Sequence, residues 1–198
     1  VRGIVANRSD GRVMRVLEVG AGTGGTTSAL LPLFPRNATE YTFTDVSGAF
    51  FTRAKARFDG YAGMSYRTLD LEREPEKQGF ENSRYDLVIA ANVLHATHDV
   101  VRSLRRLHQL LAPGGFLLLA ESTTKQRFTD LTYGLTPGWW KFQDVNLRGK
   151  HPLLSCSQWS GALSAAGYST IDIFPSLKGD QEKMGGIVAV ARANGQRT

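Results

Sequence analysis

His95 stands in ANVLHATHD (91–99), just past YDLVIA (85–90), a short apolar run that reads as a buried strand. Side chains at a strand's exit can face a ligand. A histidine there can act as a base, ligate a metal, or satisfy a loop carbonyl. A second stretch with chemical potential is the glycine-rich RVLEVGAGTGG (15–25). Gly20, Gly22 and Gly25 fit G-x-G-x-x-G between a strand and a helix, and Asp45 follows Gly25 by twenty residues. That is the dinucleotide fingerprint: the glycines admit close backbone approach, and the carboxylate accepts hydrogen bonds from a ribose diol. The same stretch also reads as Glu18-x-Gly20-x-Gly22-x-Gly24. A buried carboxylate there is a poor neighbour for a pyrophosphate. It suits a ligand carrying an ammonium and a sulfonium, which fits S-adenosylmethionine. On glycine spacing alone a nicotinamide cofactor stays open, and Glu18 could instead pair with a nearby backbone or lysine group.

Later strand ends favour the methionine-derived cofactor. Asp70 closes SYRTLD (65–70), placed to reach an adenine amino group, and Leu71 can pack on the ring. Asn92 follows the fourth apolar run, where its amide could meet the cofactor's amino-acid end. Ala21 in the glycine loop, Val46 after Asp45 and Val93 after Asn92 complete the expected cofactor set. Singly, Asp70 and Asn92 could just cap turns. Their joint occurrence at successive strand ends is what carries the reading.

These residues need a scaffold, and the chain alternates strand and helix throughout. RVLEVG (15–20) leads into TTSALLPLF, a helix cut short by Pro32 and Pro35. EYTFTD (40–45) is a second strand, and Ser47 can cap a helix carrying Phe50, Ala54 and Phe58 at helical spacing. SYRTLD, the polar loop EREPEKQGFENSR and YDLVIA follow. Val100, Leu104, Leu107 and Leu111 then form one face of a helix, ended by Pro113-Gly114-Gly115. GFLLLAE (115–121) is the fifth strand, and residues 122–154 read as irregular and aromatic. Trp159, Leu163 and Ala166 mark a last helix stopped by Gly167, before the strands STIDIF and GGIVAVARA. The pattern predicts an α/β doubly wound sheet in one domain, with ligands beyond the carboxyl ends of the strands. His95 and Glu121 both fall at or just past such ends.

LLAPGGFLLLAE, with the features above, resembles the class I methyltransferases. That resemblance implies a Rossmann-like fold: a seven-stranded, mostly parallel sheet with helices on both faces and the last strand antiparallel. Asn92-Val93-Leu94-His95 lacks the Pro-Pro-aromatic platform of enzymes acting on exocyclic base amines. Cys156, read as a small buried residue far along the chain from the site loops, does not suit a pyrimidine nucleophile. More specifically, LEVGAGTGGTT, ANVLHAT, LLLAES, GLTPGWWKFQD and HPLLS resemble the C-methyltransferase domains of polyketide synthases, over most of the chain. The resemblance implies a catalytic dyad of His95 and Glu121. It also implies a β-ketoacyl substrate, tethered through phosphopantetheine to an acyl carrier protein, and S-adenosylhomocysteine as product. Tyr133, Trp139, Trp140 and Phe142 would wall the acyl chain. The α-carbon between a ketone and a thioester is acidic enough for an imidazole of ordinary pKa, about 6.5, to deprotonate it. A carboxylate on the other ring nitrogen would fix the tautomer. No metal is expected, since the four histidines show no ligand spacing. His98 reads as a capping-region residue, His108 as solvated, and His151 receives no role.

Bulk properties bound the rest. The chain has 198 residues, 41% hydrophobic and 21% charged, enough to bury a core. Its single cysteine excludes an internal disulfide or a cysteine metal cluster. No apolar run is long enough to span a membrane and no signal pattern opens the chain, so a cytoplasmic location is expected. The net charge of +6 would suit an acidic partner, but no basic tract interleaves with aromatics, so neither nucleic acid nor membrane is expected. Arg102, Arg105 and Arg106 read as the wet face of their helix, with docking to an acidic carrier protein as the alternative. The chain opens on Val1 and only about a dozen residues precede the first strand. The expectation is a single core domain, residues 1–198, cut from a multidomain synthase with neighbouring domains and lacking an upstream lid segment. Two alternatives stand: a stand-alone small-molecule O-, N- or C-methyltransferase, and an inactive cofactor-binding domain of a megasynthase.

Overall fold

The computed structural model describes residues 1–6, 12–136, 138–176 and 184–194; Pro137, inside the quoted GLTPGWWKFQD, lies outside them. After a short helix α1 (Arg2–Ala6), the apolar runs become strands β1 (Met14–Val19), β2 (Thr39–Asp45), β3 (Met64–Thr68), β4 (Tyr85–Ala91), β5 (Leu111–Ser122), β6 (Tyr168–Phe174) and β7 (Gly186–Ala193). They form one sheet in the order β3-β2-β1-β4-β5-β7-β6. The pairs among β1 to β5 are parallel, and β7 runs antiparallel to both β5 and β6. Strand order reverses between β1 and β4, which makes their carboxyl ends the topological switch point.

Side-chain alternation divides the core in two. Val16, Tyr41, Phe43, Leu87 and Ile89 face α2 (Gly25–Leu30) and α3 (Phe51–Arg57), packing with Leu31, Phe34, Ala54 and Phe58. Leu17, Val19, Val88, Ala90, Leu117 and Leu119 face α4 (Val100–Leu110) and α7 (Cys156–Ala165). Helix α4 begins where the Asp99 side chain accepts the Arg102 N–H at 2.8 Å. It buries Val100, Leu104, Leu107 and Leu110, each contributing roughly 1.5–3 kcal/mol relative to exposure. Ser155 and Gln158 form a capping box for α7, and Gly167 follows its end at φ +96°.

Several expectations need correction. Leu111 does not continue α4. It is already extended, at φ −73° and ψ 134°, and starts β5 by pairing with Tyr85; Pro113 drives only the next residue, Ala112, toward extended backbone. The fifth strand is therefore four residues longer at its start than GFLLLAE implied. Residues 122–154 are not wholly irregular, since α5 (Arg127–Thr132) and α6 (Val145–Arg148) lie within them. Arg106 is buried rather than wet: it donates to Glu74 at 2.7 Å and to the Leu71 carbonyl at 2.6 Å. Arg105 donates to the Ala165 carbonyl, tying α4 to α7. His108 is half-buried and edge-on to Tyr168, beside Gly167. Cys156 is only partly buried. No helix among the described residues is long and apolar enough to cross a membrane.

Candidate active site

The structure brings His95 and Glu121 together. His95 Nδ1 lies 2.7 Å from Glu121 Oε2, with the His95 side chain 12% exposed and that of Glu121 0%. The backbone explains the meeting. Asn92 takes φ +51° and its N–H bonds the Ala120 carbonyl, so β4 turns sharply at its end while still held to β5. Glu121 shares a sheet face with Leu117 and Leu119 and so points into the turn. Its Oε1 accepts the N–H groups of Val93 and Leu94 at 3.0 and 2.8 Å. One carboxylate thereby caps the turn and holds the ring. An ionised carboxylate only accepts, so Nδ1 carries the proton and Nε2 presents a lone pair. Among the described residues Nε2 has no hydrogen-bond partner.

The other side of the turn is held by a residue the sequence did not single out. The Arg148 side chain, 0% exposed, donates to the carbonyls of His95 and Thr97, each at 2.6 Å, and to Asp144 at 2.5 Å. Phe142 lies beneath its guanidinium at 5.2 Å, so this ring supports Arg148, whereas an acyl wall was expected. Trp139, 6% exposed, stands edge-on to His95 at 5.3 Å and stacks on Tyr133 at 5.7 Å. Its indole N–H donates to Asp130 Oδ1. His151 completes that cluster. Its Nδ1 accepts the Leu153 N–H, so Nε2–H donates to Asp130 at 3.1 Å. Trp140 and Tyr133 remain exposed, and Trp140 donates to the Gly134 carbonyl. His98 lies just before the α4 cap, as expected, and bonds Glu72 through both its N–H and Nδ1.

The expected cofactor residues divide. Gly20 sits at φ +64°, and a Cβ there would lie 2.4 Å from Val93 Cγ2. Gly24, at φ +77°, is pressed against Phe58. Gly22 differs: at φ +53° its absent Cβ faces open space, and its N–H donates to Asp45 Oδ2 at 3.0 Å. Asp45 Oδ1 accepts the Ser47 N–H, which leaves about half of the carboxylate's four acceptor positions unused. Ala21 is bound through its N–H to the Thr44 carbonyl, and Val46 is exposed beyond Asp45. Asp70 is partly buried, and its carboxylate accepts the Glu72 N–H. Asn92 is exposed, its Oδ1 facing Ser122.

Leu71 and Glu18, two of the expected cofactor residues, are buried. Leu71, 5% exposed, packs into the core on the α4 side rather than standing free to cover a ring. Glu18, 1% exposed, shares the face of Met14 and Val16 and lies under α2. It accepts from Thr27 and Tyr41 at 2.5 and 2.7 Å, and burial raises its pKa above the ordinary value. Its partners are the Thr27 and Tyr41 hydroxyls and the Thr27 backbone, and they tie β1 to β2 and to the helix below the glycine loop.

Comparison with known proteins adds the family. Residues 17–117 match a family described as a methyltransferase domain. The chain is 38% identical over 189 residues to the highly reducing polyketide synthase ALT1 of Alternaria alternata, covering 92% of this chain and 7% of that synthase. It superposes on the CurJ carbon methyltransferase with TM-score 0.92 at 46% identity, covering 96% of this chain and 51% of that one. For the trans-methyltransferase CalH, solved in complex with SAH, the values are 0.78, 36%, 91% and 51%. The chain thus spans about half of those structures and under a tenth of the synthase.

Proposed function

We propose that this chain, which belongs to the methyltransferase-domain family, transfers a methyl group from S-adenosylmethionine to the α-carbon of a β-ketoacyl thioester on an acyl carrier protein. The observation that carries this reading is the buried Glu121 carboxylate on His95 Nδ1, with Nε2 left bare. An N- or O-methyltransferase acting on an already nucleophilic acceptor has less need of so prepared a base. The likeness to carbon methyltransferases points the same way. The same reading sets the chain among neighbouring synthase domains, in the cytoplasm.

The residues present fit the cofactor. Open room at Gly22, spare acceptor positions on Asp45, and the switch-point ends of β1 and β4 suit a ribose-bearing ligand. Gly20, Ala21, Gly22 and Gly24 would lend backbone to it, Asp45 and Val46 would meet the ribose side, Asp70 the adenine, and Asn92 and Val93 the amino-acid end. When bound, S-adenosylmethionine supplies an electrophilic methyl group and leaves as S-adenosylhomocysteine.

The chain's own part is proton transfer and exclusion of water. His95 Nε2 takes the α-proton, and the electron pair is left on the substrate as an enolate. Positive charge then forms on the ring 2.7 Å from a carboxylate with no exposed surface. Oε1 is already committed to two backbone N–H groups, so the carboxylate needs no reorientation as the charge appears. Positioned general bases contribute typically about 10²–10⁴-fold. Trp139 covers the ring edge, and the exposed Tyr133 and Trp140 continue an apolar surface suited to an acyl chain.

The test is incubation with labelled S-adenosylmethionine and a β-ketoacyl thioester, with the methyl located by mass spectrometry. Label on oxygen or nitrogen sinks the carbon assignment. Cofactor binding without any turnover favours a scaffolding domain. His95→Ala is expected to abolish turnover and leave cofactor affinity nearly unchanged, and a wild-type rate in that variant removes His95 from the mechanism.

A further inference from the structure

We propose that Arg148 is a positioning residue for this chemistry, acting on His95 through the backbone of the 93–97 turn; the proposal rests on His95 being the base. The turn is gripped at both of its chemical ends. Glu121 accepts its leading N–H groups, from Val93 and Leu94, and Arg148 donates to its trailing carbonyls, of His95 and Thr97. All three guanidinium nitrogens are used, since Nε bonds Asp144 at 2.5 Å. Asp144 in turn accepts the Val100 N–H at 3.0 Å, so the start of α4, helix α6 and the turn bearing His95 form one hydrogen-bonded unit.

Closing a turn does not require a charge. Burying a full guanidinium costs several kcal/mol unless its geometry and partners are good. Here the cost is offset by Asp144, two carbonyls and the Phe142 face. What a guanidinium supplies, and a shorter neutral donor does not, is a planar fork that fixes two carbonyls relative to each other. His95 is the residue whose carbonyl is fixed. Its ring direction is set by the same backbone, and small misplacements of a reacting group cost about 10²-fold in rate.

Arg148→Lys keeps the charge and loses the fork, because a single ammonium nitrogen does not reproduce the planar spacing with which three nitrogens meet the two carbonyls and Asp144. The expected result is a fall in kcat of roughly 10–100-fold with the dissociation constant for S-adenosylmethionine unchanged. In Arg148→Ala, added methylguanidinium should restore part of the lost kcat. A variant with lowered Tm but wild-type kcat per folded molecule overturns the proposal, because a purely structural arginine predicts that pattern. A readout independent of turnover uses the His95 ring nitrogens by NMR. Wild type should show one tautomer, protonated at Nδ1, and Arg148→Lys a mixture. If the folded wild-type protein fails to methylate the thioester, the functional reading falls alone and the ring spectra still decide on Arg148. An unchanged Nδ1–H signature in Arg148→Lys overturns the role. Where Arg148→Ala does not fold, the lysine variant carries both measurements.

Discussion

At the scale of single residues, the dyad makes an asymmetric demand on Glu121. Oε1 must accept from two backbone N–H groups while Oε2 accepts from the His95 ring. Glutamine can meet only one side. Turning its carbonyl to the two N–H groups puts its NH₂ against Nδ1, which forces the ring proton onto Nε2 and removes the lone pair that the proposed mechanism uses. Glu121→Gln is therefore expected to lower kcat by roughly 10²–10⁴-fold with the fold intact, measured by steady-state rates beside circular dichroism. A rate within a few-fold of wild type would mean that the carboxylate only caps the turn. His151 makes a second demand. It accepts from Leu153 and donates to Asp130, which also holds the Trp139 indole. His151→Phe leaves a buried N–H unpaired and should cost roughly 1–3 kcal/mol in urea denaturation. The strand-end positions of His95 and Glu121 were legible in the spacing, and their pairing was implied by the resemblance to polyketide C-methyltransferase domains. Arg148, Asp130 and His151 were not legible, because their partners come from chain folded across the site, at separations no local spacing encodes.

At the scale of elements, the site depends on how closely β1 and β4 end. Gly20 has no room for a methyl group, since Val93 Cγ2 would stand 2.4 Å away, and its φ of +64° already disfavours a side chain. Conformation alone costs about 1–2 kcal/mol in Gly20→Ala, and the clash adds to it. Adding Val93→Ala removes Cγ2 and should recover part of the clash, while the retained Val93 Cβ, 2.8 Å away, and the conformational cost remain. Equal stabilities for the single and double variants, by chemical denaturation, would show that the two strand ends do not press on each other. The strands themselves were readable because runs such as YDLVIA and GFLLLAE must be buried on both faces in a parallel sheet. Boundaries were less so. Leu111 fits the helical stripe of α4 as well as it fits β5, and only its pairing with Tyr85 decides. Arg106 looked wet because periodicity marks its helix as exposed there, while the loop after β3 folds over it.

At the scale of the whole molecule, buried titrating groups on the two faces of the sheet set how stability depends on pH. Burial raises the Glu18 pKa above its ordinary value of 4.5. The folded state then holds that proton more tightly than the unfolded chain, so stability is highest below 4.5 and falls as pH rises toward the folded value. His108 acts in the opposite direction. Burial lowers its pKa from 6.5, the unfolded chain takes the proton first, and stability is lost as pH falls below 6.5. Tyr41 and Tyr168 are raised well above 10 by burial, so stability is lost above pH 10, where the unfolded phenols ionise. Glu18→Gln isolates the first contribution. Its side-chain carbonyl can still accept from Thr27 and Tyr41, whose hydroxyls bond Glu18 Oε2. Wild type should therefore lose ground to this variant as pH rises from 4.5 toward neutrality, in urea denaturation at a series of pH values. Tyr168→Phe isolates the alkaline contribution. It gives up one hydrogen bond to the Leu104 carbonyl, about 1 kcal/mol near neutral pH, and should then fall less steeply than wild type above pH 10. Parallel curves for wild type and Tyr168→Phe through that range would mean that Tyr168 ionises as readily in the folded protein as in the unfolded chain, which its burial beneath α4 and α7 argues against.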